Sequence, residues 1–244
     1  MRRITEKFDG YMAAKDFGGA ERHLLYWLAE AGQACDLRGQ FSLQNELMGF
    51  YRKTGEKEKA LSAARSALGL AEKIGMHGES LATCYINAAT VYDAFEMPSS
   101  SVPLFENAKK IYEAELCEGD LRLSALYNNY ALAMVALKRY GESYELFQKA
   151  LGVLQRAEGG QLEKAMTYLN MADAVYAEHG IEKAEAKIAQ YIELAEKLLD
   201  DPAVPHNAYY AFVCEKCAPG FGFYGYFSAE EKYKKVSKEI YERS

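Results

Sequence analysis

Residues 126–151 read LYNNYALAMVALKRYGESYELFQKAL. Apolar residues recur at helical spacing on both sides of a polar break at Arg139-Tyr140-Gly141, so the stretch predicts two helices joined by a short turn. Small residues stand at Ala131 and Ser143, and larger ones at Tyr127 and Phe147. Helices in a hairpin approach closely only where one side chain is small, while aromatic rings fill the wedges and bury the most area. The stretch therefore predicts an antiparallel helix pair with one apolar side still uncovered.

Working outward, the pattern returns. The small residue just after each short turn is Ala20, Ala60, Ser101, Ser143 and Ala184, at steps of 40, 41, 42 and 41 residues. Ala229 continues the column 45 residues on, behind what reads as a longer turn. Seven residues past it stand Trp27, Ala67, Ala108, Ala150 and Tyr191; nine before it stand Tyr11, Tyr51, Tyr92, Met134 and Val175. Breaks fall at Thr54-Gly55-Glu56, Gly75 to Gly78, Gly159-Gly160 and His179-Gly180, glycine being the residue that best accepts the left-handed end of a helix. Strand-like alternation is absent. No single pair can bury its own apolar faces, so the pairs must stack on a continuous core. The expectation is an all-α, right-handed α-solenoid of six helix pairs. It forms one domain over 1–244, with repeats near 1–37, 38–76, 77–118, 119–160, 161–201 and 202–244, the last an atypical cap.

Composition narrows the function classes. Half of the 244 residues are hydrophobic and 26% are charged, with a net charge of −6 and a sequence pI near 5.4. An acidic chain lacks the clustered Lys and Arg that neutralise phosphate, which argues against nucleic-acid binding and against attraction to anionic membranes. Arg2-Arg3 is followed by Glu6, Lys7 and Asp9 rather than an apolar run, and no stretch of about 18 apolar residues occurs. Five widely spaced cysteines suit reduced thiols better than a disulfide framework, and a cytoplasmic setting is expected.

With its aromatic at Tyr127, small residues at Ala131 and Ser143, turn aromatic Tyr140, Phe147 and Ala150, the 126–151 stretch resembles a tetratricopeptide repeat. Phe41 to Leu68 and Tyr168 to Tyr191 resemble it more loosely. The resemblance covers residues 1 to about 201 well and the rest poorly. The period exceeds the usual 34 residues by about 7, about one helical turn for each helix of a pair. Long repeats of this kind, with an asparagine in the first helix, are similar to those of kinesin light chains.

The resemblance implies that the first helices line a concave groove which holds a peptide or a segment of a partner protein, without catalysis and without a cofactor. Asn87, Asn129 and Asn170 fall at one position in three successive repeats, on the groove side by that resemblance. An amide offers both a donor and an acceptor, as an extended peptide backbone requires. Glu6, Glu46 and Phe212 take the column at its ends. Further groove candidates are Asn45, Arg52, Lys53, Asn128, Asp173 and Tyr176, while Ser42, Thr83, Ala125 and Met166 stand where a carboxylate clamp would need basic residues. A peptide-sensing regulatory receptor is a second reading of the same groove.

Cys214-Glu-Lys-Cys217 is a CxxC, which raises a metal or redox protein as a reading of another class. It lies inside a helical pattern without a second CxxC or a preceding strand, so buried small hydrophobes are the better expectation. The histidines His23, His77, His179 and His206 scatter across repeats and form neither a metal set nor a triad. Residues 218–227, APGFGFYGYF, read as a long turn whose aromatics cap the core or support self-association.

Overall fold

A computed structural model describes residues 1–243 of the 244. Twelve α-helices and no strand occur among the described residues. They form six antiparallel hairpins: α1 (Arg2–Ala13) with α2 (Phe17–Gln33), α3 (Leu37–Thr54) with α4 (Lys57–Lys73), α5 (Gly78–Ala94) with α6 (Pro98–Glu115), α7 (Leu121–Ala136) with α8 (Tyr140–Arg156), α9 (Gln161–His179) with α10 (Ile181–Leu199), and α11 (Ala208–Phe223) with α12 (Phe227–Arg243). The architecture is the expected α-solenoid of tetratricopeptide-like helix pairs.

The chain divides into two compact units, the first ending at Glu115 and the second starting at Leu116. Within the first unit α2 packs on α3, α4 on α5, and the first helices α3 and α5 touch directly. Within the second, α8 packs on α9, and α9 touches both α7 and α11. In each unit the first helices of successive hairpins thus form a layer of their own.

The small-residue column lies in the core. Ala20, Ala60, Ser101 and Ser143 are fully buried, and Ala184 and Ala229 nearly so. Beside it the first unit buries Leu24, Met48, Ala64, Val91 and Phe105, and the second buries Leu126, Met134, Phe147, Leu154, Ile192 and Phe221. Trp27 departs from the pattern. It stands in the column of Ala67 and Ala108 but is 36% exposed, set edge-on against Tyr26.

Seven turns share one construction. A residue one or two positions past the helix takes a left-handed conformation, and the next amide reaches back to a carbonyl five residues earlier: Asp16 to Tyr11, Asp36 to Ala31, Glu56 to Tyr51, Met76 to Ala71, Met97 to Tyr92, Arg139 to Met134 and Tyr226 to Phe221, all at 2.8–2.9 Å. Glycine holds the left-handed position at Gly55, Gly75 and Gly225; Lys15, Cys35, Glu96 and Lys138 hold the other four. The break expected at Gly141 is therefore corrected: the turn is at Lys138, and Gly141 lies inside α8. Aspartates cap two of the following helices, Asp16 accepting from the Gly19 amide (2.8 Å) and Asp36 from the Gly39 amide (2.9 Å).

The last hairpin also differs from expectation. Residues 218–227 do not form a long turn: α11 runs through Pro219, Gly220 and Gly222 to Phe223, and its turn at Gly225 is as tight as the others. Burial overrides local propensity here, since Ala218 and Phe221 are fully buried. The glycines serve close approach. A Cβ at Gly222 would lie 2.1 Å from the Glu230 carboxylate on α12, and one at Gly220 would touch Leu169 on α9.

Candidate functional site

The first-helix layer of each unit carries a cavity, and each cavity holds members of the asparagine column. In the first unit, a space of about 380 Å³ is lined by Phe8, Met12, Glu46, Phe50 and Asn87, with Asn45, Arg52 and Lys53 at its wall. In the second, a space of about 360 Å³ is lined by Leu121, Arg122, Ala125, Met166 and Tyr209 together with Ser124, Asn128, Asn129, Glu163 and Asn170. These volumes sit at the low end of the range for ligand pockets.

The asparagines are not equivalent. The Asn128 amide donates to the Thr167 hydroxyl on α9 (2.8 Å) and to the Ser124 carbonyl one turn back (3.2 Å). Its oxygen accepts a long bond from Asn170 (3.4 Å). Asn128 and Asn170 thus tie α7 to α9. Among the described residues the side-chain amides of Asn87 and Asn129 make no hydrogen bond, and both are half-buried in cavity walls. The column read as one ladder divides into tied and untied members, because its neighbour Asn128 points across the helix seam.

The tie has a counterpart. Asn45 donates to the Phe41 carbonyl (3.0 Å) and acts on the Cys84 thiol on α5, lowering its pKa against the larger effect of burial. Asn45 lies 83 residues before Asn128, and Cys84 lies 83 before Thr167. The same offset superposes Ala67-Leu68-Gly69 on Ala150-Leu151-Gly152 and Asn87 on Asn170. The second and third hairpins therefore reappear, residue for residue in length, as the fourth and fifth.

Charges around the cavities are mixed. Burial, with help from the nearby Asp9, raises the Glu46 carboxyl above its usual pKa. Burial also raises Asp173, against the lowering effect of the Tyr224 hydroxyl, which donates to it at 2.7 Å. Tyr176, 39% exposed, meets Phe223 and Tyr224 edge-to-face, so Asp173 and Tyr176 share one aromatic corner between α9 and the end of α11. Of the tail aromatics, Phe221 is buried, whereas Phe223 and Phe227 are 63% and 69% exposed.

Glu163 was not singled out from the sequence. Its Oε1 accepts from the Tyr209 hydroxyl at 2.7 Å, while its Oε2 is buried without a partner. Ser124 Oγ, in the same cavity wall, is the other buried side-chain oxygen without a partner among the described residues. The 83-residue offset pairs Ser124 with Phe41 and Glu163 with Ser80, but it changes residue type at most positions and marks neither.

Cys214 and Cys217 are buried, and burial pushes their thiols up to about 11 and about 12. Thiols held protonated at neutral pH are poor nucleophiles and poor ligands. They pack as the small hydrophobes the sequence suggests, with Cys214 in the column of Ala131 and Ala172. No group of three or more His, Cys, Asp or Glu residues placed to hold a metal ion occurs among the described residues. No described helix is long and apolar enough to cross a membrane.

No protein-family profile matches the chain, and no curated protein matches it. Solved structures do. The chain is similar to BtubC (BKLC) from P. vanneervenii, with 20% identity over 97% of this chain and 90% of that one and a TM-score of 0.52. It is similar to a structure of nearly identical TPR-like repeats of the kinesin-light-chain kind from Podosopora anserina, with 16% identity over 82% and 94% and a TM-score of 0.55. It is also similar to a Rap protein complexed with competence and sporulation factor, with 13% identity over 98% and 74% and a TM-score of 0.56. With the phased hairpins, their long helices and the buried small-residue column, the chain is in fold a tetratricopeptide-type repeat protein of the long-repeat kind.

Proposed function

We propose that this protein is a non-enzymatic interaction scaffold that holds an extended segment of a peptide or partner protein along its first-helix layers. The observation that carries the reading is the pair of untied amides, Asn87 and Asn129, each half-buried in the wall of a cavity on that layer. A half-buried amide without a bond is an unmet donor and acceptor, and a peptide backbone supplies both partners. Apolar walls at Phe8, Met12, Leu121 and Met166 add side-chain pockets. The Rap protein above is described in complex with a factor, which makes peptide sensing the second reading. The buried, protonated state of Cys214 and Cys217 weighs against the metal or redox reading. A cytoplasmic setting, and self-association through Phe223 and Phe227, belong to the same proposal.

The test is a selection of random peptides by display on the wild-type protein. Recovered peptides should lose about tenfold or more in affinity for the Asn87→Ala/Asn129→Ala protein, whose melting should stay unchanged. Equal affinity for both proteins would make the amides bystanders and sink the groove reading.

A further inference from the structure

The second-unit cavity has features that define what enters it. Its two oxygens without partners, Glu163 Oε2 and Ser124 Oγ, are buried in its wall, and Ser124 is fully buried. Burying a polar atom without a bond is costly, and for a carboxylate oxygen more so. The rest of the site is committed. Tyr209 occupies Glu163 Oε1, Thr167 and Asn170 occupy Asn128, and Arg122 is turned onto Asp120 at 2.7 Å. What remains without a bond is one carboxylate oxygen, one hydroxyl and the Asn129 amide, the first two enclosed, behind walls of Leu121, Ala125 and Met166 and beside Arg122.

We infer that this cavity receives a lysine side chain of the bound segment, its ammonium seated on Glu163, Ser124 and Asn129. The assignment rests on the groove reading above and names the chemistry of its occupant. An ammonium carries three donors and no acceptor, matching three oxygens left without a bond. Its four-carbon stem suits apolar walls that leave the charged end at a polar base. A space of about 360 Å³ accommodates one side chain rather than a folded ligand. A carboxylate or phosphate would meet Glu163 head-on, and an uncharged apolar side chain would leave the Glu163 oxygen unbonded.

The probes are Nα-acetyl-lysine methylamide, its norleucine analogue, which lacks the charge, and putrescine, a free amine without a peptide backbone. The readout is the 13C-methyl resonance of Met166, assigned by Met166→Ile. The lysine amide should shift it saturably in the millimolar range, at least tenfold more tightly than either other probe. Glu163→Gln, which keeps an acceptor for the Tyr209 hydroxyl, should lose that preference while melting as the wild type does. An equal response to norleucine would make the cavity merely apolar, and tighter binding of putrescine would make it a small-amine site; either overturns the assignment, as does no response to any probe. None of these outcomes touches the peptide selection on Asn87 and Asn129, so the two readings fail separately.

Discussion

Lys15, Cys35, Glu96 and Lys138 hold left-handed φ values of 55°, 53°, 59° and 59° at turns built like those where Gly55 and Gly75 stand. An L-residue in that region costs about 1–2 kcal/mol through contact of Cβ with the following carbonyl. Glycine removes the contact but adds roughly 0.5–1 kcal/mol of unfolded-chain entropy. The net gain should be about 0.5–1 kcal/mol for each replacement by glycine. The four turns lie at least 20 residues apart and share no partner, so the gains should add to about 2–4 kcal/mol. For a chain of this size that corresponds to roughly 2–4 °C in Tm per kcal/mol. Since Lys138 lies in the second unit and the other three in the first, Lys138→Gly and the triple variant should be melted separately before being combined. Calorimetry and urea unfolding followed by circular dichroism give the answer. The reverse change, Gly55→Lys, should cost about what one forward change gains. If the glycine variants are no more stable than the parent while Gly55→Lys is harmless, the turns are not strained and the reasoning fails.

Gly19→Ala and Gly39→Ala should each destabilise by about 1 kcal/mol in denaturant titration despite alanine's helix preference, because the added Cβ would sit 2.2 and 2.3 Å from the Oδ2 atoms of the capping carboxylates of Asp16 and Asp36 and push them out of place. Asn128→Ala should cost about 1–3 kcal/mol by losing the tie to Thr167 and leaving Asn170 without its partner, while Asn129→Ala should stay within about 0.5 kcal/mol. Burial raises Asp93 to about 6, against the lowering effect of the Ser101 hydroxyl bonded to it. The folded state then binds more protons than the unfolded between the ordinary carboxylate pKa and about 6, so stability should fall as pH rises through that window. The full shift would be worth about 3 kcal/mol. Asp93 is only part-buried, so about 1 kcal/mol is the expected size, and Asp93→Asn should abolish that pH dependence in melts between pH 4 and 7. Iodoacetamide at pH 8 should label the exposed Cys35 and Cys117 and spare Cys84, Cys214 and Cys217 until the protein is unfolded, as peptide mass mapping would show.

The hairpins were legible because they rest on a volume constraint. Only a small side chain fits at Ala20, Ala60, Ser101, Ser143 and Ala184, and that restriction is visible as a column in the sequence. The turns were half legible. Glycine announces the left-handed residue at Gly55 and Gly75, but nothing local announces it at Lys138 or Glu96, where helix packing fixes the conformation that the residue itself disfavours. In the last hairpin Pro219, Gly220 and Gly222 read as a loop, yet buried Phe221 and the closeness of Leu169 and Glu230 hold them in α11. At the candidate site the sequence exposed the asparagine column but not its division. Whether an amide is tied depends on what stands across the seam: Thr167 takes up Asn128, while Asn129 faces cavity. Glu163 was invisible for a related reason, since a glutamate in a helix is ordinary until one of its oxygens is found enclosed.

The doubling of hairpins two and three in hairpins four and five sets a natural stride for this chain. Cutting after Gly69 and resuming at Val153 joins two segments that enter the junction through the same Ala-Leu-Gly and leave it toward helices with the same Tyr-Ile/Leu-Asn core. An excision or insertion of that length would preserve phase, whereas one of a single hairpin would set an Asn128-type donor opposite a first helix without its Thr acceptor. The reach of the molecule is thus tunable in steps of two hairpins, and the amides that stitch neighbouring first helices act as the gauge.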